Sequence, residues 1–161
     1  MRDKIKSLEE AKAIRKDAKA SGRVVVFTNG CFDLLHAGHV DYLEAAKKEG
    51  DLLIVGLNSD DSVRRIKGAN RPLVPWEDRA ALLAGLSAVD AVVAFDEDDP
   101  LELIKALVPD VLVKGADWKQ DQIIGADMIK AAGGVVVRVE LTEGRSTSGL
   151  IDQILNKYKE K

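Results

Sequence analysis

Several things are scarce in this chain, and each scarcity excludes something. Cys31 is the only cysteine in 161 residues, so no internal disulfide can form, which fits a reducing cytoplasm. No apolar run reaches the roughly 20 residues needed to cross a bilayer. Residues 1–21 are charged, with no apolar stretch of a secretory leader, so neither export nor a membrane role is expected. The two histidines, His36 and His39, come without the further ligands and the H-E-x-x-H spacing of a zinc site, and no protein metal site is expected. There is no G-x-G-x-x-G, no G-x-x-x-x-G-K-[ST] and no G-x-S-x-G. A nicotinamide dehydrogenase, a kinase-type phosphate loop and a serine nucleophile elbow therefore lack support. Positive charge is not in excess either. A net charge of -3 argues against a nucleic-acid surface, so cations serving an anionic substrate must be gathered locally. Repeats, low-complexity tracts and linkers are absent, and 46% hydrophobic with 32% charged residues is the balance of an ordinary globule. One domain is expected, with residues 1–21 as an N-terminal helix and 22–161 as core and C-terminal helix.

What the chain does have is alternation. Ser7 and Glu10 form a capping-box pattern that opens a helix to about Ala20. Strand patterns follow at Val24–Thr28, Asp51–Asn58, Ala88–Phe95, Val111–Lys114 and Gly134–Val139. Helical patterns lie between them, one of them after Asp99-Pro100, a helix-start signal. A last helix is expected over about Thr147–Lys159. Short apolar strands alternating with helices predict an α/β fold, a Rossmann-like doubly wound parallel sheet of five strands in the order 3-2-1-4-5. Right-handed crossovers then put the switch point between the first and fourth strands.

The segment entering that switch point, T-N-G-C-F-D-L-L-H-A-G-H (Thr28 to His39), is the most informative in the chain. It is the first strand-to-helix turn, where such folds bind phosphates. His36 and His39 are three residues apart, so a helix beginning near Ala37 puts both imidazoles on one face of its first turn. Across the crevice the loop K-G-A-D-W (Lys114 to Trp118) forms the facing wall. Lys67 and Arg71 lie on a polar loop after the second strand, and Arg145-Ser146-Thr147-Ser148 precede the last helix. The acidic run Asp96 to Asp99 reads as a surface turn. A set of donors without a nucleophile suits phosphoryl or nucleotidyl transfer, where positioning and charge stabilisation do most of the work. A phosphate acting as attacking group is ionised at neutral pH and needs no strong general base.

N-G-C-F-D-L-L-H-A-G-H with the distal R-S-T-S resembles the cytidylyltransferase-like nucleotidyltransferases. G-L-N-S-D (Gly56 to Asp60), K-G-x-x-R-P (Lys67 to Pro72) and D-x-L-V-K-G-x-D (Asp110 to Asp117) resemble, within them, the heptose 1-phosphate adenylyltransferases. The resemblance implies a catalytic set of His36, His39, Lys67 and Arg145. It implies nucleotide contacts from Thr28, Asn29, Gly30, Cys31, Phe32, His39, Lys114, Gly115 and Asp117, and from Arg145, Ser146, Thr147 and Ser148. Asp33, Asn58, Lys67 and Arg71 would face the acceptor. The partners implied are ATP and a sugar 1-phosphate, with magnesium entering on the triphosphate. A homodimer, and a sugar kinase carried by a separate protein, are implied as well. Transfer of AMP to D-glycero-β-D-manno-heptose 1-phosphate is the expected reaction. A cytidylyltransferase acting on a phosphate such as glycerol 3-phosphate, or a nucleotide-binding module without turnover, are the alternatives.

Overall fold

The computed structural model describes residues 2–119 and 122–159. Strands β1 (Ile5–Lys6), β2 (Val25–Gly30), β3 (Leu52–Asn58), β4 (Ala91–Phe95), β5 (Val111–Gly115) and β6 (Val135–Val139) alternate with helices. The helices are α1 (Leu8–Ala20), α2 (Ala37–Lys47), α3 (Asp60–Lys67), α4 (Trp76–Gly85), α5 (Leu101–Leu107), α6 (Ala126–Ala131) and α7 (Thr147–Tyr158). All strand pairs are parallel, in the order β1-β4-β3-β2-β5-β6.

The sheet thus has six strands and not the expected five in the order 3-2-1-4-5. The added edge strand is only Ile5–Lys6, paired with Val92 and Val93. Two residues in a charged stretch carry no periodic signal. What holds them is tertiary, with the Lys4 ammonium donating to the carbonyls of Leu86 at 3.1 Å and Val89 at 2.7 Å. The segment expected as an N-terminal helix therefore carries a 3-10 turn (Arg2–Lys4) and this strand before its helix. Its helix α1 opens as its sequence indicates, with Glu10 N–H donating to Ser7 Oγ at 3.2 Å and Ser7 N–H to Glu10 Oε2 at 2.8 Å.

Side chains of β2 alternate between two cores, as the two-residue period of a strand requires. Val26 packs with Leu43 and Ala46 of α2 and Leu83 of α4 on one face. Val25 and Phe27 pack with Ala11 and Ala18 of α1, Ile104 of α5 and Ile129 of α6 on the other. Burial on both faces explains why the strands read as unbroken apolar runs. Leu43 is fully buried and ties α2 to the sheet; a Leu→Ala truncation at such a site costs about 2–5 kcal/mol.

The register opens a crevice. β2 pairs with β3 along its whole length, from Val25 opposite Leu52 to Gly30 opposite Leu57. Its pairing with β5 ends at Phe27 opposite Leu112. Beyond that point the carboxyl ends of β2 and β5 diverge, and the chain turns in opposite directions from them. This is where a doubly wound sheet leaves room for a ligand.

Candidate active site

The gap between β2 and β5 is bridged by side chains instead of a backbone ladder. Thr28 Oγ1 and Tyr42 Oη are 2.7 Å apart, and the Tyr42 hydroxyl lies 3.3 Å from the carbonyl of Val113. Thr28 is fully buried, so it braces the floor from beneath and does not face a nucleotide as expected. Tyr42, which sequence reading missed, is its partner. One stage further along the strands, the Lys114 ammonium donates to Asn29 Oδ1.

Above this floor lies a cleft of about 630 Å³. It is lined by every residue of the expected site except Thr28, including His36, His39, Lys67, Arg71, Lys114 and Arg145 to Ser148. Segments far apart in sequence therefore share one cavity. Ile66, Asp98, Asp99, Pro100 and Ile123 also line it and carried no functional signal in sequence. Asp98 pairs with Arg65 Nε at 2.6 Å, and Asp99 accepts the Leu101 N–H at 2.8 Å, so the acidic run is locally satisfied as well as facing the cleft.

The turn from β2 to α2 is strained where it meets the cleft. Phe32 is buried and adopts φ of +44°, the left-handed region that side chains with a Cβ disfavour. In that conformation its ring packs 5.3 Å from the His39 ring. His39 in turn stacks on His36, with centroids 3.9 Å apart and planes 20° apart. Gly38 makes the approach of a second helix possible, since a Cβ there would sit 3.0 Å from Arg145 Cβ and 3.1 Å from His36 Nδ1. His36 occupies the N-cap of α2 without a capping side-chain bond, which leaves the first N–H groups of the helix without that partner.

Burial holds His39 well below the usual histidine range, at about 4, with the neighbouring His36 adding to the effect. Burial also lowers His36, helped by the Arg145 charge. Both imidazoles are therefore mostly neutral at pH 7, and neither Nδ1 has a hydrogen-bond partner among the described residues. A neutral imidazole still donates one hydrogen bond, and the approach of a polyphosphate raises its affinity for a second proton.

The remaining walls divide by strand. From β3, α3 ends at Lys67, which is exposed at the rim; it closes a helix and does not sit in the following loop as expected. Arg71, in that loop, forms an ion pair with Asp33. The same carboxylate accepts the N–H groups of Leu73 at 2.8 Å and Val74 at 2.9 Å. Burial raises its proton affinity, but the two backbone N–H groups and Arg71 outweigh that and hold Asp33 below the ordinary carboxylate value. Asp33 thus fastens the 71–74 loop to the cleft. Asn58 donates to Ser62 Oγ at 2.9 Å and is nearly buried. Arg79 is fully buried, donating to Val74 O at 2.9 Å, Cys31 O at 2.6 Å and Asp60 Oδ1 at 2.6 Å. It knits three segments of the wall together. Sequence gave no sign of it, because its partners come from three separate elements.

On the other side, the S-T segment opens α7. Ser146 Oγ accepts the Gly149 N–H at 3.0 Å, and Thr147 Oγ1 donates to the Leu34 carbonyl at 3.4 Å. The segment is a helix cap and a tether to the histidine loop at once. Arg145 and Ser148 are exposed beside it. Trp118 is 46% exposed, at the rim. Cys31 is partly buried, and burial pushes its thiol up, so it is not a reactive thiolate at neutral pH.

A doubly wound sheet with two helix N-termini, stacked histidines and four basic side chains around one cleft defines an α/β domain of the nucleotidyl-transfer class. Comparison with known proteins agrees. The cytidylyltransferase-like family model matches residues 27–156. The bifunctional protein HldE of Syntrophotalea carbinolica is 50% identical over 98% of this chain, and that of Geobacter metallireducens 53% identical over 98%. This chain spans 32% of the length of each of these relatives. The crystal structure of the lipopolysaccharide core biosynthesis protein from Thermoplasma volcanium is 31% identical, with a TM-score of 0.63 over 77% of this chain and 100% of that one. Pantoate-beta-alanine ligase from Francisella tularensis has a TM-score of 0.60 over 89% of this chain and 68% of that one; at 16% identity this is a likeness of fold. The chain belongs to the cytidylyltransferase-like family, and its domain is a nucleotidyltransferase.

Proposed function

We propose that this domain transfers AMP from ATP to D-glycero-β-D-manno-heptose 1-phosphate, releasing pyrophosphate and forming ADP-heptose. The observation that carries nucleotidyl transfer is the stacked His36–His39 pair at the start of α2, in one cleft with Lys67, Arg71 and Arg145. The heptose assignment is supported by the G-L-N-S-D, K-G-x-x-R-P and D-x-L-V-K-G-x-D segments and by the likeness to a lipopolysaccharide core biosynthesis protein.

An oxygen of the sugar phosphate attacks the α-phosphorus of ATP. The bond from that phosphorus to the bridging α–β oxygen breaks, and the pair of electrons leaves with pyrophosphate. His36 and His39 donate to the phosphates where charge accumulates, as do the first N–H groups of α2. Arg145 with Ser146, Thr147 and Ser148 hold the outer phosphates, and Lys67 and Arg71 approach from the acceptor side. Asp117 accepts from the nucleotide ribose. Among the described residues no three His, Cys, Asp or Glu side chains converge to hold a metal ion. Magnesium in this reading is carried in by the triphosphate oxygens, where it neutralises charge.

A homodimer, and a kinase that supplies the sugar 1-phosphate, belong to the same proposal. Among the described residues no helix is long and apolar enough to cross a membrane. The test is pyrophosphate release with each nucleoside triphosphate against heptose 1-phosphate, glycerol 3-phosphate and other phosphates. ATP with heptose 1-phosphate is expected to be the productive pair. Turnover with CTP and glycerol 3-phosphate instead would make the chain a cytidylyltransferase, and no turnover with any pair would leave a binding module.

A further inference from the structure

Where a parallel ladder stops, buried backbone groups on the two strands need other partners. Pairing of β2 with β5 stops at Phe27 opposite Leu112, and the next residues, Thr28 and Val113, are both fully buried. The missing rung comes from Tyr42 of α2. The Val113 carbonyl can only accept, so the single Tyr42 hydroxyl hydrogen goes to it at 3.3 Å. The Thr28 hydroxyl, 2.7 Å from Tyr42 Oη, donates in turn to Tyr42. A directed chain of hydrogen bonds thus runs from β2 through α2 to β5. Burial, joined by the Asp117 charge, pushes the Tyr42 phenol up to about 12, so these bonds keep their hydrogens at neutral pH. The ring lies in the same core as Val26, Leu43 and Val113. A phenylalanine would fill that space without burying a hydroxyl, which is unfavourable unless bonded.

We propose that Tyr42 is a positioning residue for nucleotidyl transfer, fixing the start of α2, and with it the His39 imidazole, against the crevice between β2 and β5. This rests on the nucleotidyl-transfer reading for what His39 does there. His39 precedes Tyr42 by three residues, so the two side chains leave one face of α2, and both line the cleft. Lys47 fastens the far end of the helix to Asp90 at 2.6 Å. Near the start, the N-cap residue His36 makes no capping side-chain bond. There Tyr42 makes the buried hydrogen bonds that join the helix to the strands.

Both strands that Tyr42 joins lead into the site. Thr28 runs directly into the Asn29–Phe32 turn, whose Phe32 ring packs 5.3 Å from the His39 ring. Val113 precedes Lys114 on the opposite wall. A shift of the helix start therefore moves the stacked imidazoles relative to both walls at once. Donors to a reacting phosphate tolerate little of this, since a misplacement of about 1 Å can cost about 10²-fold in rate. Substrate affinity, spread over many other groups, should change far less.

The experiment compares wild type, Tyr42→Phe, Thr28→Val and Thr28→Ser, each also in the His39→Ala background. Pyrophosphate release, melting temperature and the imidazole NMR signals are measured for each. With two histidines in the chain, each ring gives its own signals, and His39→Ala assigns them. Tyr42→Phe and Thr28→Val, at temperatures where both are folded, are expected to lower kcat about tenfold or more and to change KM for ATP by less than about twofold. Both should displace the His39 ring signals, and Thr28→Ser, which keeps the hydroxyl, should lie closer to wild type in each readout. In the His39→Ala background the same substitutions should cost nothing further, because they act through that ring. A folded Tyr42→Phe with wild-type kcat would overturn the proposal. So would a loss of the same size without His39, the mark of general structural damage. Should Tyr42→Phe not fold, Thr28→Val decides in its place; should neither fold, the hydroxyls serve the fold and the proposal fails. Wild type that releases no pyrophosphate in any substrate combination removes the nucleotidyl-transfer reading. The imidazole signals then decide alone, and signals left in place by a folded Tyr42→Phe overturn the hold on His39.

Discussion

Replacing His39 by asparagine should make the protein less sensitive to acid, because burial keeps the native imidazole neutral. The His39 imidazole has an ordinary value of 6.5 and is lowered to about 4 in the folded protein, chiefly by burial and then by His36. Between those two values the unfolded chain binds a proton that the folded chain refuses. Stability therefore falls as pH drops through this window and levels off below about 4; above 6.5 the group contributes nothing. At about 1.4 kcal/mol for each unit, the cost at pH 4.5 comes to about 2 to 3 kcal/mol. Asparagine keeps a polar group of similar reach but does not titrate. Urea unfolding at pH 7.0 and at pH 4.5 measures the effect, with wild type losing about 2 to 3 kcal/mol more than His39→Asn. Asp33, held below its ordinary 3.8, loses its contribution only below the window. Equal losses in the two proteins would refute the idea that packing keeps this imidazole neutral.

Three further outcomes are expected. His39→Ala should lower turnover by about 10²–10³-fold, the usual cost of a transition-state donor, with ATP affinity changing much less in equilibrium titrations. Lys67→Ala should reduce kcat/KM while its melting temperature stays at the wild-type value, because an exposed lysine with no ion pair among the described residues contributes within about 0.5 kcal/mol to the fold. Asp33→Ala leaves two backbone N–H groups and Arg71 without their acceptor, which should cost about 2–4 kcal/mol in denaturant unfolding.

Much of this architecture could be read from local pattern. Ser7 and Glu10 announce α1 because both partners of the capping box lie within one turn. Strands β2 to β6 announce themselves because each is buried, or partly buried, along an apolar run, and their neighbour relations follow from crossover handedness. The spacing of His36 and His39 places both rings at one helix start, and the structure shows them stacked. What escaped notice depends on contacts distant in sequence. Ile5–Lys6 is a strand only because β4 offers it an edge. Thr28 turns into the floor because Tyr42 waits there. Asp33 and Arg79 serve the wall from within, through partners 38 to 48 residues away for the Asp33–Arg71 and Arg79–Cys31 bonds. A sequence displays the residue types of a site, but not which of them hold the others.

The same division explains how a chain of net charge -3 can present a cleft for polyanions. Asp51, Asp90 and Asp110 each stand just before a strand. Their carboxylates accept the N–H groups of Val24, Leu53 and Val25, at 2.8, 2.7 and 2.9 Å, at the amino edge of the sheet. Negative charge there satisfies strand starts that have no ladder partner. At the carboxyl edge the acids are mostly engaged, Asp33 by Arg71, Asp98 by Arg65 and Asp99 by a helix N–H. Among the described residues Lys67, Lys114 and Arg145 have no carboxylate ion-pair partner, and α2 and α7 both begin at that edge. Net charge describes the whole surface, whereas a ligand meets one end of the sheet, and that end is where the uncommitted cations stand.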